Sequence, residues 1–151
     1  MSWTEDLLAG LAAHLAAQGV GQWQPAGAYT TATPPPITLR TLPDAFDRAY
    51  AIGAYVEVEL EDAGLSDVTV GVQVRSRGTT DPDSVEEAAD AVWGVLHGAR
   101  MLTLGTGDAR VYTSLIYRRS TALLGVDRQG RYERSCSYFI HASRPNAYRP
   151  D

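Results

Sequence analysis

The stretch YAIGAYVEVELE, residues 50–61, decides the fold because apolar side chains recur at every second position. Its even positions are all apolar, whereas its odd positions end in three glutamates. A period of two predicts a β-strand with one buried face and one solvent-facing face. The predicted core positions are Tyr50, Ile52, Ala54, Val56, Val58 and Leu60.

A second strand is predicted directly after the first. Residues 68–75 place valines in one register and Thr, Gly, Gln and Arg in the other. Two alternating runs joined by a short turn predict an antiparallel hairpin. On its outer side, Glu57 and Glu59 are expected to face Arg75 and Arg77 across the two strands.

Two amphipathic segments predict helices. In the first, Ser2 and Glu5 stand at capping-box spacing, ahead of a stripe of leucines. In the second, Asp83 and Glu86 repeat that spacing, and Gly98 is expected to end the helix. The predicted core positions are Leu7, Leu8, Leu11, Leu15, Val85, Ala89, Val92 and Leu96.

The element order predicts the fold class. Residues 110–119 and 131–141 add two strands, so the order is helix, strands, helix, strands. Such segregated elements predict an α+β fold with a mainly antiparallel sheet and two helices packed on one face. We expect one domain, residues 1–151, with a proline-containing loop at 24–36. The segment 142–151 is expected to be a mobile or partner-bound arm.

Charge is distributed unevenly along the chain. All 13 basic residues are arginine, which excludes chemistry that needs a lysine. Residues 1–97 hold 4 arginines and 14 acidic residues, and residues 98–151 hold 9 and 4, so the halves carry −10 and +5. Either the fold mixes these charges on its surface, or the basic face of one subunit meets the acidic face of the next.

No motif for catalysis or metal binding is evident. The loop at 105–108 is glycine-rich but lacks a phosphate-binding frame, and Cys136 is expected to be a core thiol. The three histidines do not share a ligand spacing. We therefore predict no enzyme activity, no catalytic, cofactor or metal residues and no cofactor. The N-terminal segment does not have the basic start of a secretion signal, and no stretch is long enough to predict a membrane span.

Four parts of the sequence resemble the small tail terminator proteins of long-tailed bacteriophages, which are also called minor capsid or head–tail joining proteins. The first is the opening amphipathic helix, and the others are residues 41–56, 70–98 and 124–140. Within 70–98, a valine-rich strand ends in an Arg-x-Arg-Gly turn that includes Arg77 and leads into an acidic helix.

The last segment matches the family's late hairpin, in which a turn of Asp, Gly and Arg is formed here by Asp127, Gly130 and Arg131. The arm at 30–36 and the proline-containing tail do not match the family pattern.

The resemblance implies a structural role without cofactors. Such proteins form a homo-oligomeric ring, typically a hexamer, at the head-proximal end of the tail tube. The ring stops tube polymerisation and offers a surface to a head-closure or connector protein. DNA only passes through the lumen, and no membrane is involved. The expected location is the tail top or neck of the virion, after assembly in the host cytoplasm, with the major tail tube protein as a partner.

A ring needs two different surface patches on each subunit. The charged candidates for these patches, or for a partner interface, are Glu57, Glu59, Arg75, Arg77, Arg118, Arg119, Arg128, Arg131 and Arg134. The residues leave open whether Arg134 meets an acid of its own subunit or of a neighbour. Two alternatives are a tail-completion or head-closure adaptor of the phage neck and, in another class, a small α+β ligand-binding domain or enzyme.

Overall fold

The computed structural model describes residues 2–59 and 65–149, with Glu59 described by its backbone alone. The described chain holds two α-helices, a short 3₁₀ turn and a sheet of eight strands. The helices and the turn are α1 (Trp3–Ala17), α2 (Pro82–Leu96) and Gly107–Ala109. The strands are β1 (Gln22–Trp23), β2 (Pro36–Leu39), β3 (Ala49–Glu59), β4 (Asp67–Arg77), β5 (Ala99–Arg100), β6 (Thr103–Leu104), β7 (Val111–Val126) and β8 (Tyr132–Ser143).

Helix α1 begins as the sequence predicts. The Ser2 hydroxyl accepts a hydrogen bond from the Glu5 N–H at 3.1 Å, and the Glu5 carboxylate accepts one from the Ser2 N–H at 3.2 Å. This reciprocal capping box satisfies two N–H groups that the helix leaves without partners. The predicted stripe of four leucines is fully buried, which confirms that α1 is a core helix.

Helix α2 is present, but its predicted cap is wrong. The cap is Asp81, whose carboxylate accepts from the Asp83 N–H at 3.0 Å, and Pro82 takes the first helical position. Proline favours this position because its missing N–H would have no partner there. The predicted inward positions of α2 are all buried. Neither helix in the described part of the chain is long and apolar enough to cross a membrane.

Strands β4 and β8 form the centre of the sheet. The strand order is β1-β2-β3-β4-β8-β7-β5, and β6 pairs with β7. Strand β4 is antiparallel to both β3 and β8, so the predicted hairpin of β3 and β4 is confirmed. Both helices pack into one hydrophobic cluster with the valines of β4 and alternate residues of β8. The opposite side of the sheet, here called the bare face, has no helix over it in the described residues.

The predicted fold class is wrong. Strands make up 42% of the described residues and helices 23%, so the structure is mostly β, with a curled, mixed sheet rather than a mainly antiparallel one. Strands β1 and β2 pair in parallel, as do β2 and β3. The parallel pairing follows from residues 40–48, here called the crossover loop, which carry the chain back before β3 begins.

The second half of β3 does not bury the side chains that the sequence predicts. A β-bulge between Ala54 and Val56 inserts Tyr55, so that Val56 pairs with Gly71 and Glu57 with Val70. A shift of one residue moves every later side chain to the other face. Val56 and Val58 are therefore exposed, by 38% and 53%. The predicted core position Leu60 lies outside the described residues.

The loop at 24–36 and the C-terminal segment both contact the body of the domain. The Gln22 amide donates to the carbonyls of Thr31 and Pro34, each at 2.8 Å. The Arg144 guanidinium lies over the Trp3 ring at 4.9 Å, and Arg149 donates to the Leu65 carbonyl at 3.0 Å. The mobility expected for 142–151 stays a prediction.

Gly78, between β4 and α2, is expected to resist substitution. A Cβ there would lie 2.2 Å from the Ser84 hydroxyl and 2.7 Å from the Val85 backbone nitrogen. Gly78→Ala should therefore lower the free energy of unfolding by about 1–3 kcal/mol in urea denaturation.

The matched control is Gly94→Ala, in the middle of α2, where a Cβ meets nothing within 4 Å. It should raise the free energy of unfolding by about 0.5–1 kcal/mol, because alanine favours the helix. Equal effects at both positions would contradict the close packing of Gly78.

Candidate assembly interface

The structure separates the charged residues that the sequence proposed for an interface. Arg77 and Arg131 are buried inside the subunit, each 3% exposed. A second group is paired within the chain and consists of Glu57, Arg75 and Arg134. The remaining arginines, Arg118, Arg119 and Arg128, lie at or near the surface. The side chain of Glu59 lies outside the described residues.

Arg77 binds the crossover loop through its guanidinium group. Its Nε donates to the Asp47 carbonyl at 2.9 Å, and its Nη2 donates to the carbonyls of Pro43 and Phe46. Buried cations are tolerated when their donors are satisfied in this way. The planar, forked guanidinium suits several carbonyls at once, which a lysine could not match.

Arg131 holds the same loop and the hairpin turn together. Its Nη1 donates to the carbonyls of Asp44 and Phe46 at 3.1 and 3.2 Å. Its Nε donates to the Asp127 carboxylate at 2.8 Å, within the turn that joins β7 to β8. The Asp47 carboxylate lies 3.6 Å away. Arg131 therefore ties residues that are more than eighty positions apart in the chain.

The pKa values of Arg77 and Asp127 are both shifted by their surroundings beside Arg131. Burial, and then the charge of Arg131, lower the pKa of Arg77. Desolvation acts to raise the pKa of Asp127, but hydrogen bonds from the Arg131 backbone, the Arg131 side chain and the Gln129 backbone outweigh it and lower that pKa. The carboxylate of Asp127 is thus held in its charged form by the turn that it closes.

Arg134 meets an acid of its own subunit. Its Nη2 lies 2.6 Å from the Glu86 carboxylate of α2, and its Nη1 donates to the Thr121 hydroxyl at 3.0 Å. Arg75 pairs with Glu133 on β8 at 2.5 Å. The sequence left open whether Arg134 pairs with an acid of its own subunit or of a neighbour, and the structure shows the pair within the subunit.

The predicted cross-strand pairs of β3 and β4 are wrong. The register places Ala51 opposite Arg75 and Val70 opposite Glu57. Glu57 instead pairs with Arg144, beyond the end of β8, because the bulge turns it toward the helix side. The separation along the strands, rather than charge, prevents the predicted contact.

The surface arginines lie along β7 and the turn that follows it. Arg118 is placed over the Trp93 ring at 5.9 Å, and Arg119 over the Phe139 ring at 5.2 Å. Both distances are within the range of cation–π attraction. Arg128 is exposed in the turn. Their role at a subunit interface stays a prediction.

Two exposed apolar patches lie beside strand edges. On β3, which pairs with β2 only as far as Ile52, the bulge patch consists of Tyr55, Val56 and Val58. On β7, which pairs with β5 only at Leu115 and Ile116, the hairpin patch consists of Leu123, Leu124 and Val126. Each of these side chains is at least 38% exposed. Strand β6 pairs with β7 only at Val111 and Tyr112, so in the described chain no strand covers either edge beside the patches.

Sequence reasoning missed both patches for different reasons. In the bulge patch, Val56 and Val58 were predicted to be core positions, because the alternation of residues 50–61 continues unbroken past the bulge. The hairpin patch had a signal, since the run at 122–126 is apolar and lies beyond the predicted strand at 110–119, whereas β7 continues to Val126.

The described residues do not assemble a recognisable reactive centre. Cys136 is buried, and its sulfur lies 3.3 Å from the Thr121 hydroxyl. The Nδ1 atom of His97 accepts a hydrogen bond from the Arg118 N–H at 3.0 Å. Within residues 2–59 and 65–149, no three His, Cys, Asp or Glu side chains come together as metal ligands.

A family model described as "Bacteriophage tail terminator protein" matches residues 14–144. The chain belongs to this family. The resemblance predicted from the sequence is thereby confirmed. The tail terminator is a structural component of the virion, located in its tail and neck region, and it joins the tail to the head. It associates there with other components of the virion.

The fold of this tail terminator is similar to that of a chain in a solved virion of a native gene transfer agent particle. The TM-score is 0.61 at 13% identity, over 88% of this chain and 94% of that chain. At this identity the similarity concerns the fold. No curated protein matches the sequence.

Removing the Arg131 side chain is expected to destabilise the fold of the tail terminator subunit itself. Arg131→Met would remove the side-chain donor from the Asp127 carboxylate and from the carbonyls of Asp44 and Phe46, although backbone N–H groups still bind Asp127 and Arg77 still binds Phe46. We expect the free energy of unfolding to fall by about 3–5 kcal/mol, measured by urea denaturation.

Arg128→Met is the control, because Arg128 is an exposed arginine in the same turn. It should change the free energy of unfolding by no more than about 0.5 kcal/mol. A small effect of Arg131→Met would show that the buried contacts contribute little.

The Asp127 carboxylate should make stability depend on pH in acid. Its folded-state pKa is below the ordinary value of 3.8, so its contribution is fully present above that value. It is lost as the pH falls through the lower folded-state pKa. Urea unfolding from pH 7 to pH 2 should therefore show the difference between wild type and Asp127→Asn shrinking in acid. A difference that stays constant would contradict the lowered pKa.

Proposed function

We propose that the protein forms a closed, sixfold homo-oligomeric ring on the head-proximal end of the tail tube. One side of the ring binds the last tube subunits and stops polymerisation, and the other side receives a head-closure or connector protein. The observation that carries this proposal is the tail terminator match across residues 14–144. Two different exposed patches on one subunit agree with it, because a ring needs a heterologous interface.

The charge of the protein supports a channel through which DNA passes without tight binding. The formal net charge is −5, and the chain has no lysine. Several arginines are already engaged by acids of the same chain, including Arg75, Arg131 and Arg134. Tight DNA binding instead depends on many free cations that neutralise phosphates. A lumen that lacks them lets the genome slide.

The proposed role is structural rather than catalytic. Cys136 is buried in the core cluster, and an open cleft of about 450 Å³ is lined by Trp3, Glu57, Arg144 and residues of the C-terminal segment. In that cleft Glu57 and Arg144 neutralise each other. This pairing suits a structural contact better than a reacting group.

Native mass spectrometry should detect a species of six times the 16.3 kDa chain mass, and electron microscopy should show it as a ring. Added to polymerising tail tube protein, the ring should bind tube ends and limit tube length. A monomer that ignores tube ends would contradict the proposal. A protein that binds the connector alone would be a head-side adaptor instead.

A further inference from the structure

The bulge patch and the hairpin patch lie far apart on the sheet. Strands β3 and β7 are separated by β4 and β8, so their axes are roughly 14 Å apart at ~4.8 Å per strand step. Along the strands, Val56 aligns with Phe139 of β8 through Gly71, whereas Leu123 aligns with Arg134. These positions differ by roughly 17 Å at ~3.3 Å per residue. The two patches of one subunit therefore cannot cover each other.

The patches also face opposite sides of the sheet. Val56 pairs with Gly71 and Val58 with Thr69, and these β4 residues alternate with the buried valines, so the bulge patch faces the bare side. Leu123 pairs with Arg134, which reaches Glu86 on α2, so Leu123 faces the helix side. Leu123 is nevertheless 55% exposed.

The sequence places opposite charges next to the two patches. Residues 57–62 contain four acidic residues and no basic one, and of these Glu57 is already paired with Arg144. The hairpin patch lies between Arg119 and Arg128, both exposed. Asp127, the acid nearest in sequence, is already bound to Arg131. Opposite charges on two partners favour their encounter and set their orientation.

We propose that the β7–β8 hairpin of one subunit packs against the bare face of the next subunit, so that the hairpin patch covers the neighbour's bulge patch. The inference rests on the proposed ring. A second copy of the chain is the occupant that fits, because one chain supplies both apolar halves and both signs of charge. Since the patches differ and lie on opposite sides, the contact is heterologous, and its repetition closes into a ring when the rotation between subunits allows.

Two single substitutions test this contact. Leu123→Asp and Val58→Asp each place a charge in one patch at a position more than half exposed, so the fold should be retained. Each variant should shift the ring to monomer in native mass spectrometry, with assembly weakened about tenfold or more. Met101→Asp is the control, because Met101 is 78% exposed and belongs to neither patch. It should assemble like wild type.

Mixing the two variants gives the sharper result. Val58→Asp keeps an intact hairpin patch, and Leu123→Asp keeps an intact bulge patch. An equimolar mixture should therefore form a heterodimer that does not grow further, while each variant alone stays monomeric. Symmetric dimers of either variant, or rings formed by either one, would overturn the contact between the two patches.

The inference and the proposed ring fail in different ways. A wild-type protein that never forms rings or binds tube ends would remove the proposed function. A wild-type ring that persists in both variants would remove only the contact between the two patches. Thermal unfolding of each variant checks that the fold is intact. If an Asp variant unfolds, the milder Leu123→Ser or Val58→Thr takes its place, and each of these should also weaken assembly relative to wild type.

Discussion

The buried guanidinium groups of Arg77 and Arg131 are the interaction on which the rest of the architecture depends. Together they supply donors to carbonyls of the crossover loop, and Arg131 also binds the carboxylate of Asp127 in the hairpin turn. Burying two cations side by side is unfavourable unless every donor finds an acceptor. The loop and the turn provide acceptors for both guanidinium groups, so moving either segment away would leave buried N–H donors without partners.

This clamp lies at the end of the sheet where β2 joins it. The crossover loop is held by Arg77 at the end of β4 and by Arg131 just before β8, and β2 pairs in parallel with β3 only as far as Ile52. The hairpin turn is held at the same end, and β7 runs beyond the cover of β5. Two strand edges therefore stay open. Bulges, which usually blunt an open edge, are present in both strands, and this chain nevertheless places exposed apolar side chains beside both edges. That arrangement is typical of a protein that completes its packing by assembly.

Local signals predicted the elements whose causes are local. The capping box of Ser2 and Glu5 and the leucine stripe that follows it describe α1, since cap and stripe act within a few residues. The valine alternation of β4 and the inward face of α2 were equally clear. The parallel entry of β2 was not, because a four-residue strand carries no mark of its direction. The burial of Arg77 was missed as well, because its acceptors are loop carbonyls about thirty residues away.

The sequence by itself determined the two core helices, the central hairpin of β3 and β4, the lysine-free charge distribution and the resemblance to tail terminators. These depend on spacing, composition and motif, which can be read along the chain. Only the tertiary structure decided which arginines are buried and which face of β3 is exposed. The bulge at Tyr55 reverses the faces of the strand without interrupting its alternating pattern. Arg131 and Arg134, three positions apart in the sequence, differ because one meets the carbonyls of a distant loop and the other the carboxylate of Glu86.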